Sequence, residues 1–170
     1  FYNLQNKEIL KNLDEEITIY YVVQTGNEDN NVEKLLEQYE AASSKIKVEK
    51  KDPVANPNFA QQYTEESLSE NSLIVVGSKR SKVVSYSNFY ETEFDYSTYQ
   101  SKTTGYDGEG QLTSAIAYVL SDELPVVYYV EGHNEISMPD ALTDRIEKAN
   151  LEMQALNLLT AEEIPEDAAG

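Results

Sequence analysis

The sequence predicts a mixed α/β fold in two parts, and three observations predict it. Apolar runs typical of buried strands alternate with apolar residues at helical spacing in the first half of the chain. Two short apolar runs at 72–77 and 81–86 have the pattern of an antiparallel hairpin. A new strand-helix-strand pattern begins after Pro125. We therefore expect one module over residues 1–124 and an incomplete second α/β domain over residues 125–170.

The first module opens with a short helix predicted within the segment "LQNKEILKNLDEE" at 4–16, whose leucine and isoleucine residues share one face. The run "ITIYYVV" at 17–23 predicts a buried strand. A polar turn with Asn and Asp as capping residues precedes the clearest helix, in which four apolar residues recur at i, i+3, i+4 and i+7. These residues are Val32, Leu35, Leu36 and Tyr39. "KIKVEK" at 45–50 alternates apolar residues with lysines and predicts a half-exposed strand.

A short helix is expected at 57–64, followed by the hairpin at 72–86. The Tyr-rich acidic stretch at 88–110 is too irregular for one element, so we expect an exposed loop with at most a short strand. A helix at 110–121 completes the module. The order strand, helix, strand, helix, strand, strand, helix is that of the thioredoxin fold.

The second pattern consists of a strand at 126–130, the turn "EGHNE" and a helix capped by Ser137 and Asp140. Leu142, Ile146 and Ala149 are expected to form the buried face of this helix. A strand at 154–159 follows, so the segment predicts the opening strand-helix-strand unit of a parallel sheet.

Composition excludes several classes of function. The formal net charge of -18 repels nucleic acids and anionic lipid surfaces, so we expect neither as a partner. Without cysteine there is no disulfide, thiolate catalysis or thiol redox chemistry, even in a thioredoxin-like fold. No apolar run is long enough for a membrane helix. We expect no cofactor.

The only histidine, His133, follows a predicted strand at the end where parallel sheets place ligand crevices. Gly132 would permit a sharp turn there, and Glu135 could orient the imidazole. One histidine and nearby carboxylates are too few for a zinc site, and Ser137 is better explained as a helix cap than as a nucleophile. We assign no catalytic residue and no metal ligand. A ligand or partner contact and a purely structural turn both stay open for Gly132, His133 and Glu135.

Tyr96 and Tyr99 belong to the stretch "NFYETEFDYSTYQ". Tyrosine offers a large apolar contact area with a polar tip, so these side chains are candidates for a partner-binding surface. The alternative is that the aromatic residues of this stretch simply cover a sheet.

Several separated segments resemble one known family in the same order along nearly the whole chain. They are "EILKNLDEEITIYYVV", "VEKLLEQYEAASSKIKVEKKDPVANP", "KVVSYSNFYE", "GQLTSAIAYVLSDELPVVYYVEGHNE" and "ALNLLTAEEIPEDA". Together they resemble the extracytoplasmic region of the GldG-like auxiliary components of ABC transport systems. The resemblance implies a thioredoxin-like module leading into a Rossmann-like domain, and a membrane anchor helix outside these residues.

The same resemblance implies an extracytoplasmic location and a place beside an ABC permease and ATPase. Our leading expectation is therefore a non-enzymatic scaffold or cargo-contact domain of a membrane transport complex. The alternative is a small-ligand-binding or hydrolytic domain whose site forms around Gly132, His133 and Glu135 with a further C-terminal part.

Overall fold

The computed structural model describes Leu10 and residues 13–97, 99–132, 138–161 and 165. The chain divides into two compact units, Phe1–Leu120 and Ser121–Gly170. The helix expected within 4–16 lies largely outside the described residues; Leu10 is helical and buried, whereas residues 13–16 are not helical.

A four-stranded mixed sheet forms the centre of the first unit, with strands β1 (Ile17–Val22), β2 (Ile46–Lys51), β3 (Ser72–Val76) and β4 (Ser81–Val84). Their order is β2-β1-β3-β4. Strand β1 runs parallel to β2 and antiparallel to β3, and β3 runs antiparallel to β4. The expected mixed sheet flanked by helices is confirmed.

Two helices, α1 (Asn30–Ala42) and α2 (Gly108–Leu120), cover one face of this sheet. Helix α1 buries the four residues whose spacing predicted it, because that spacing places them on one side. Tyr39 of α1 also contacts α2, where its hydroxyl lies 2.7 Å from Thr113 Oγ1. The main hydrophobic core therefore lies between the two helices and alternate residues of β1 and β3.

The opposite face of the sheet is covered by the connection between β2 and β3. Tyr20 points to this face and packs edge-on against Phe59, with ring centroids 4.8 Å apart. Tyr63 lies 6.0 Å from Tyr20. The helix expected at 57–64 is only a 3₁₀ turn at Ala60–Gln62, and the residues that flank it, Phe59 and Tyr63, both pack against Tyr20.

The stretch at 88–110 contains a β-hairpin rather than an irregular loop. A 3₁₀ turn at Tyr86–Phe89 leads into β5 (Tyr90–Asp95), which pairs antiparallel with β6 (Gln100–Tyr106). The expectation of a loop was wrong because both strands are exposed. Their polar residues therefore show no buried apolar alternation.

The second unit contains β7 (Val126–Glu131), helix α3 (Asp140–Lys148) and β8 (Glu152–Asn157). Strands β7 and β8 pair in parallel, as the strand-helix-strand pattern predicted. The predicted buried face of the helix was wrong, because Leu142 is 46% exposed and Ala149 lies exposed beyond the helix end. Asn150 adopts the left-handed conformation at φ 58 just past the end of the helix, as is common where helices terminate.

Candidate functional site

The exposed end of the β5–β6 hairpin carries three aromatic side chains, which we call the aromatic tip: Phe94, Tyr96 and Tyr99. Their exposed fractions are 48%, 81% and 79%. The rings of Tyr96 and Tyr99 stand edge-on to Phe94, with centroid distances of 5.1 Å and 6.5 Å. The structure thus brings together both tyrosines expected from the sequence, with Phe94 between them.

The base of the hairpin, in contrast, is anchored in the core of the first unit. Phe89 is fully buried, and its carbonyl accepts a hydrogen bond of 2.8 Å from the backbone N–H of Asp107. Tyr90 and Tyr106 face each other across the two strands with ring centroids 5.2 Å apart. A two-stranded hairpin is at best marginally stable in water, so this aromatic base stabilises an arm that projects exposed residues.

The two faces of the hairpin differ in chemistry. Successive residues of a strand point to opposite sides. On β5, one face therefore carries the three carboxylates Glu91, Glu93 and Asp95. The other face carries Thr92 and Phe94. On β6, Lys102 lies opposite Glu93. Three carboxylates against one ammonium group give the arm a negative potential next to its aromatic tip.

A second polar arrangement lies at the carboxyl end of β1, around Asp29. One carboxylate oxygen, Oδ1, caps helix α1 by accepting the N–H groups of Asn31 at 2.8 Å and Val32 at 3.1 Å. The other, Oδ2, accepts the hydroxyls of Tyr86 at 2.9 Å and Tyr90 at 2.8 Å. Asp29 therefore connects the start of α1 to the base of the hairpin, and we call this set the cap network.

The cap network continues into the sheet through Asn71, which precedes β3 with φ 69. Its Oδ1 accepts the Tyr21 hydroxyl and, at 2.8 Å, the backbone N–H of Asp29. Its Nδ2 donates to the carbonyl of Asn27 at 3.1 Å. One side chain thus joins the β1–α1 turn to β3.

The pKa shifts in the cap network indicate a structural role for its side chains and not a catalytic one. Burial raises the pKa of Tyr21 to about 12. Burial, together with the hydrogen bond to Asp29, also raises the pKa of Tyr86. Desolvation alone would raise the pKa of Asp29, but the hydrogen bonds from Val32, Tyr90 and Tyr86 outweigh it, so the pKa lies below its ordinary value. At neutral pH Tyr21 and Tyr86 are therefore protonated donors and Asp29 is an acceptor, an arrangement that holds the turn in place.

A cavity of about 250 Å³ opens beside the ends of β1 and β2, lined among others by Val22, Lys51 and Phe59. The Lys51 ammonium lies 3.0 Å from a Glu49 carboxylate oxygen and 5.3 Å from the centre of the Phe59 ring. The charge of Lys51 is therefore already paired within the protein. The residues that line the cavity do not indicate a particular class of ligand.

Gly132 lies at the carboxyl end of β7 with φ 111, a conformation that favours glycine. A Cβ atom there would lie 2.7 Å from Asn157 Oδ1 at the end of β8, so a larger residue would have to displace that amide. His133 and Glu135 lie outside the described residues, as does the Ser137 cap. Within the described part of the chain, no group of three or more His, Asp or Glu side chains is arranged to hold a metal ion.

The sequence interpretation overlooked Phe94 and the cap network. Alternation of Glu91, Glu93 and Asp95 with Thr92 and Phe94 was a signal for a strand, although an exposed one. For the cap network only the helix cap could be found in sequence, because its tyrosine partners are 57 and 61 residues away from Asp29.

The fold and these sites define a cysteine-free α/β domain with an exposed aromatic hairpin and a hydrogen-bonded cap network. The model of one family, a domain of unknown function designated DUF7088, matches residues 3–90. Because the match covers more than half of the chain, the protein belongs to the DUF7088 family. No curated protein and no solved structure matches the chain. Among the described residues, no helix is both long and apolar enough to cross a membrane.

Proposed function

We propose that the protein is a non-enzymatic, extracytoplasmic accessory domain of a membrane ABC transport complex, with a scaffold or cargo-contact role. The observation that carries this proposal is the hairpin with its anchored base and exposed aromatic tip. Exposed aromatic clusters on a rigid support are typical of protein-binding surfaces. The transport context comes from the resemblance to GldG-like components, which includes an anchor helix outside these residues and a permease and ATPase as partners.

The proposal includes a finer assignment of fold. The sheet order β2-β1-β3-β4, with β1 parallel to β2 and antiparallel to β3, supports a thioredoxin-like first unit. In such a fold the turn after β1 would carry the redox cysteines, whereas here it carries Asp29 with its hydrogen bonds already formed. The parallel pair β7–β8 with its connecting helix supports the start of a Rossmann-like domain in the second unit.

The transport assignment is tested by purifying the full-length protein from its native membranes after mild crosslinking and identifying the copurified proteins by mass spectrometry. We expect an ABC permease and an ATPase to be recovered. Recovery of neither, with the tagged protein itself intact and membrane-bound, would contradict the assignment. A crosslinked sample from cells that express an unrelated tagged membrane protein serves as the control.

A second candidate function is a small-ligand-binding or hydrolytic site around Gly132, His133 and Glu135. It is favoured by the left-handed Gly132 at the carboxyl ends of two parallel strands, where α/β sheets place ligands. On this hypothesis His133→Ala abolishes ligand binding or turnover in the full-length protein and leaves its circular dichroism spectrum unchanged. A His133→Ala protein with normal function in cells would exclude it.

A further inference from the structure

We infer that the aromatic tip binds the cationic side chains of a basic, arginine-bearing segment of a partner protein. This inference rests on the proposed function, since it names the partner chemistry of the same surface. It concerns Phe94, Tyr96 and Tyr99 together with the carboxylates of β5.

The geometry of the tip suits cations. Aromatic ring faces carry partial negative charge and attract ammonium and guanidinium groups, with Arg the more common partner in proteins. Tyr96 and Tyr99 meet the Phe94 ring at interplanar angles of 78° and 80°. Because both tyrosines remain about four-fifths exposed, their ring faces stay open to an incoming side chain.

The charge distribution favours the same ligand. Glu91 and Glu93 are exposed on β5, and the whole chain carries a formal net charge of -18. These carboxylates lie on the face of β5 opposite Phe94, so they attract a guanidinium group to the arm through their Coulomb field and not by direct contact at the rings. The same charge repels anionic lipid headgroups, so insertion of the tip into an anionic membrane surface is disfavoured.

The ring angles also distinguish a basic peptide from a carbohydrate. Sugar rings stack on flat, open aromatic faces, whereas each tyrosine ring stands nearly perpendicular to Phe94, so Phe94 forms no continuous platform with either tyrosine. Ring faces carry the partial negative charge and ring edges the partial positive charge, so a cation binds over an exposed ring face and not at an edge. The observations therefore favour an arginine side chain over a glycan.

The inference is tested by titrating the ¹⁵N-labelled 170-residue protein with a short glycine-spaced arginine peptide at physiological salt and following amide chemical shifts. We expect shifts concentrated at 92–103. The matched probe is the same peptide with citrulline, which keeps the planar side chain but lacks the charge, and we expect it to bind at least about tenfold more weakly. Equal binding of both peptides would overturn the inference.

Variants separate the tip from the general acidity of the chain. The triple substitution Phe94→Ser, Tyr96→Ser, Tyr99→Ser keeps the net charge and alters only exposed side chains, so we expect an intact spectrum and about tenfold weaker arginine-peptide binding. Glu93→Gln should weaken binding more than Glu66→Gln, which removes one exposed charge elsewhere. Unchanged binding by the triple variant would overturn the inference.

The outcomes distinguish this inference from the proposed function. If the arginine peptide does not bind but the full-length protein still recovers a permease and ATPase, the partner chemistry is wrong and the transport assignment stands. If the peptide binds and no transport subunit is recovered, the partner chemistry stands and the transport assignment is wrong. Perturbation of the tip by a cello-oligosaccharide alone would overturn the inference in favour of a carbohydrate ligand.

Discussion

Asp29→Ala is expected to destabilise the protein by about 3 kcal/mol. The substitution removes the cap of α1, which typically costs about 1 kcal/mol, and leaves two partly buried tyrosine hydroxyls without their shared acceptor. Urea unfolding followed by far-UV circular dichroism measures the loss. The double variant Tyr86→Phe, Tyr90→Phe is the matched control, because it removes the two hydroxyls and keeps the helix cap. It should lose less stability than Asp29→Ala, and an equal or larger loss would contradict this account of the cap network.

The ionisation of the Asp29 carboxylate is expected to make the stability of the protein depend on pH. Its folded pKa lies below the ordinary value of 3.8, so the ionised form contributes stability that is fully present above that value. This contribution is lost as the pH falls through the lower folded pKa. Asp29→Asn keeps a cap acceptor without the charge, so the stability difference between the two proteins should shrink as the solution is acidified through this window. A difference independent of pH would show that the charge of Asp29 contributes nothing.

Phe89→Ala is expected to cost about 3–5 kcal/mol, the usual range for removing a buried phenyl ring. Phe89 is fully buried at the base of the hairpin and packs against Tyr86 and Tyr106 at centroid distances of 6.4 Å. Its removal should also speed hydrogen exchange of the β5 and β6 amides, because the anchor of the arm is lost. Urea unfolding and native-state hydrogen exchange measure the two effects.

The matched control is the same substitution at the other end of the arm. Phe94 is 48% exposed, so Phe94→Ala should change stability by no more than about 0.5–1 kcal/mol. Similar losses for both variants, or unchanged exchange at β5 and β6 in Phe89→Ala, would contradict the description of an anchored base with a free tip.

Buried periodicity made most of the first unit predictable from sequence. The spacing of Val32, Leu35, Leu36 and Tyr39 predicted α1 because those residues are buried on one side. The run at 17–23 predicted β1 because both faces of that central strand are covered. Where a helix or strand buries residues on a defined face, the spacing of its apolar residues predicts that element.

The hairpin arm and the second unit were predicted less well, because the spacing of apolar residues does not show which surfaces are buried. The strands β5 and β6 are stabilised at their base and expose the rest, so their sequence carries hydroxyl, acidic and aromatic residues in place of an apolar pattern. For α3, an apolar face at helical spacing was interpreted as buried, yet Leu142 remains exposed in a unit whose described residues form two strands and one helix. Spacing indicates which residues share a face, but whether that face is covered depends on tertiary partners.

On the proposed function, the protein acts by contact through its aromatic tip. The most direct test of this claim is to place a photoreactive phenylalanine analogue at position 96 of the full-length protein in living cells and to identify the crosslinked product. Position 54, where Val54 is 70% exposed on the β2–β3 connection, serves as the control. We predict crosslinks from position 96 to a subunit of an ABC transport system and none from position 54. Absence of any adduct from position 96, or the same adducts from both positions, would contradict the claim.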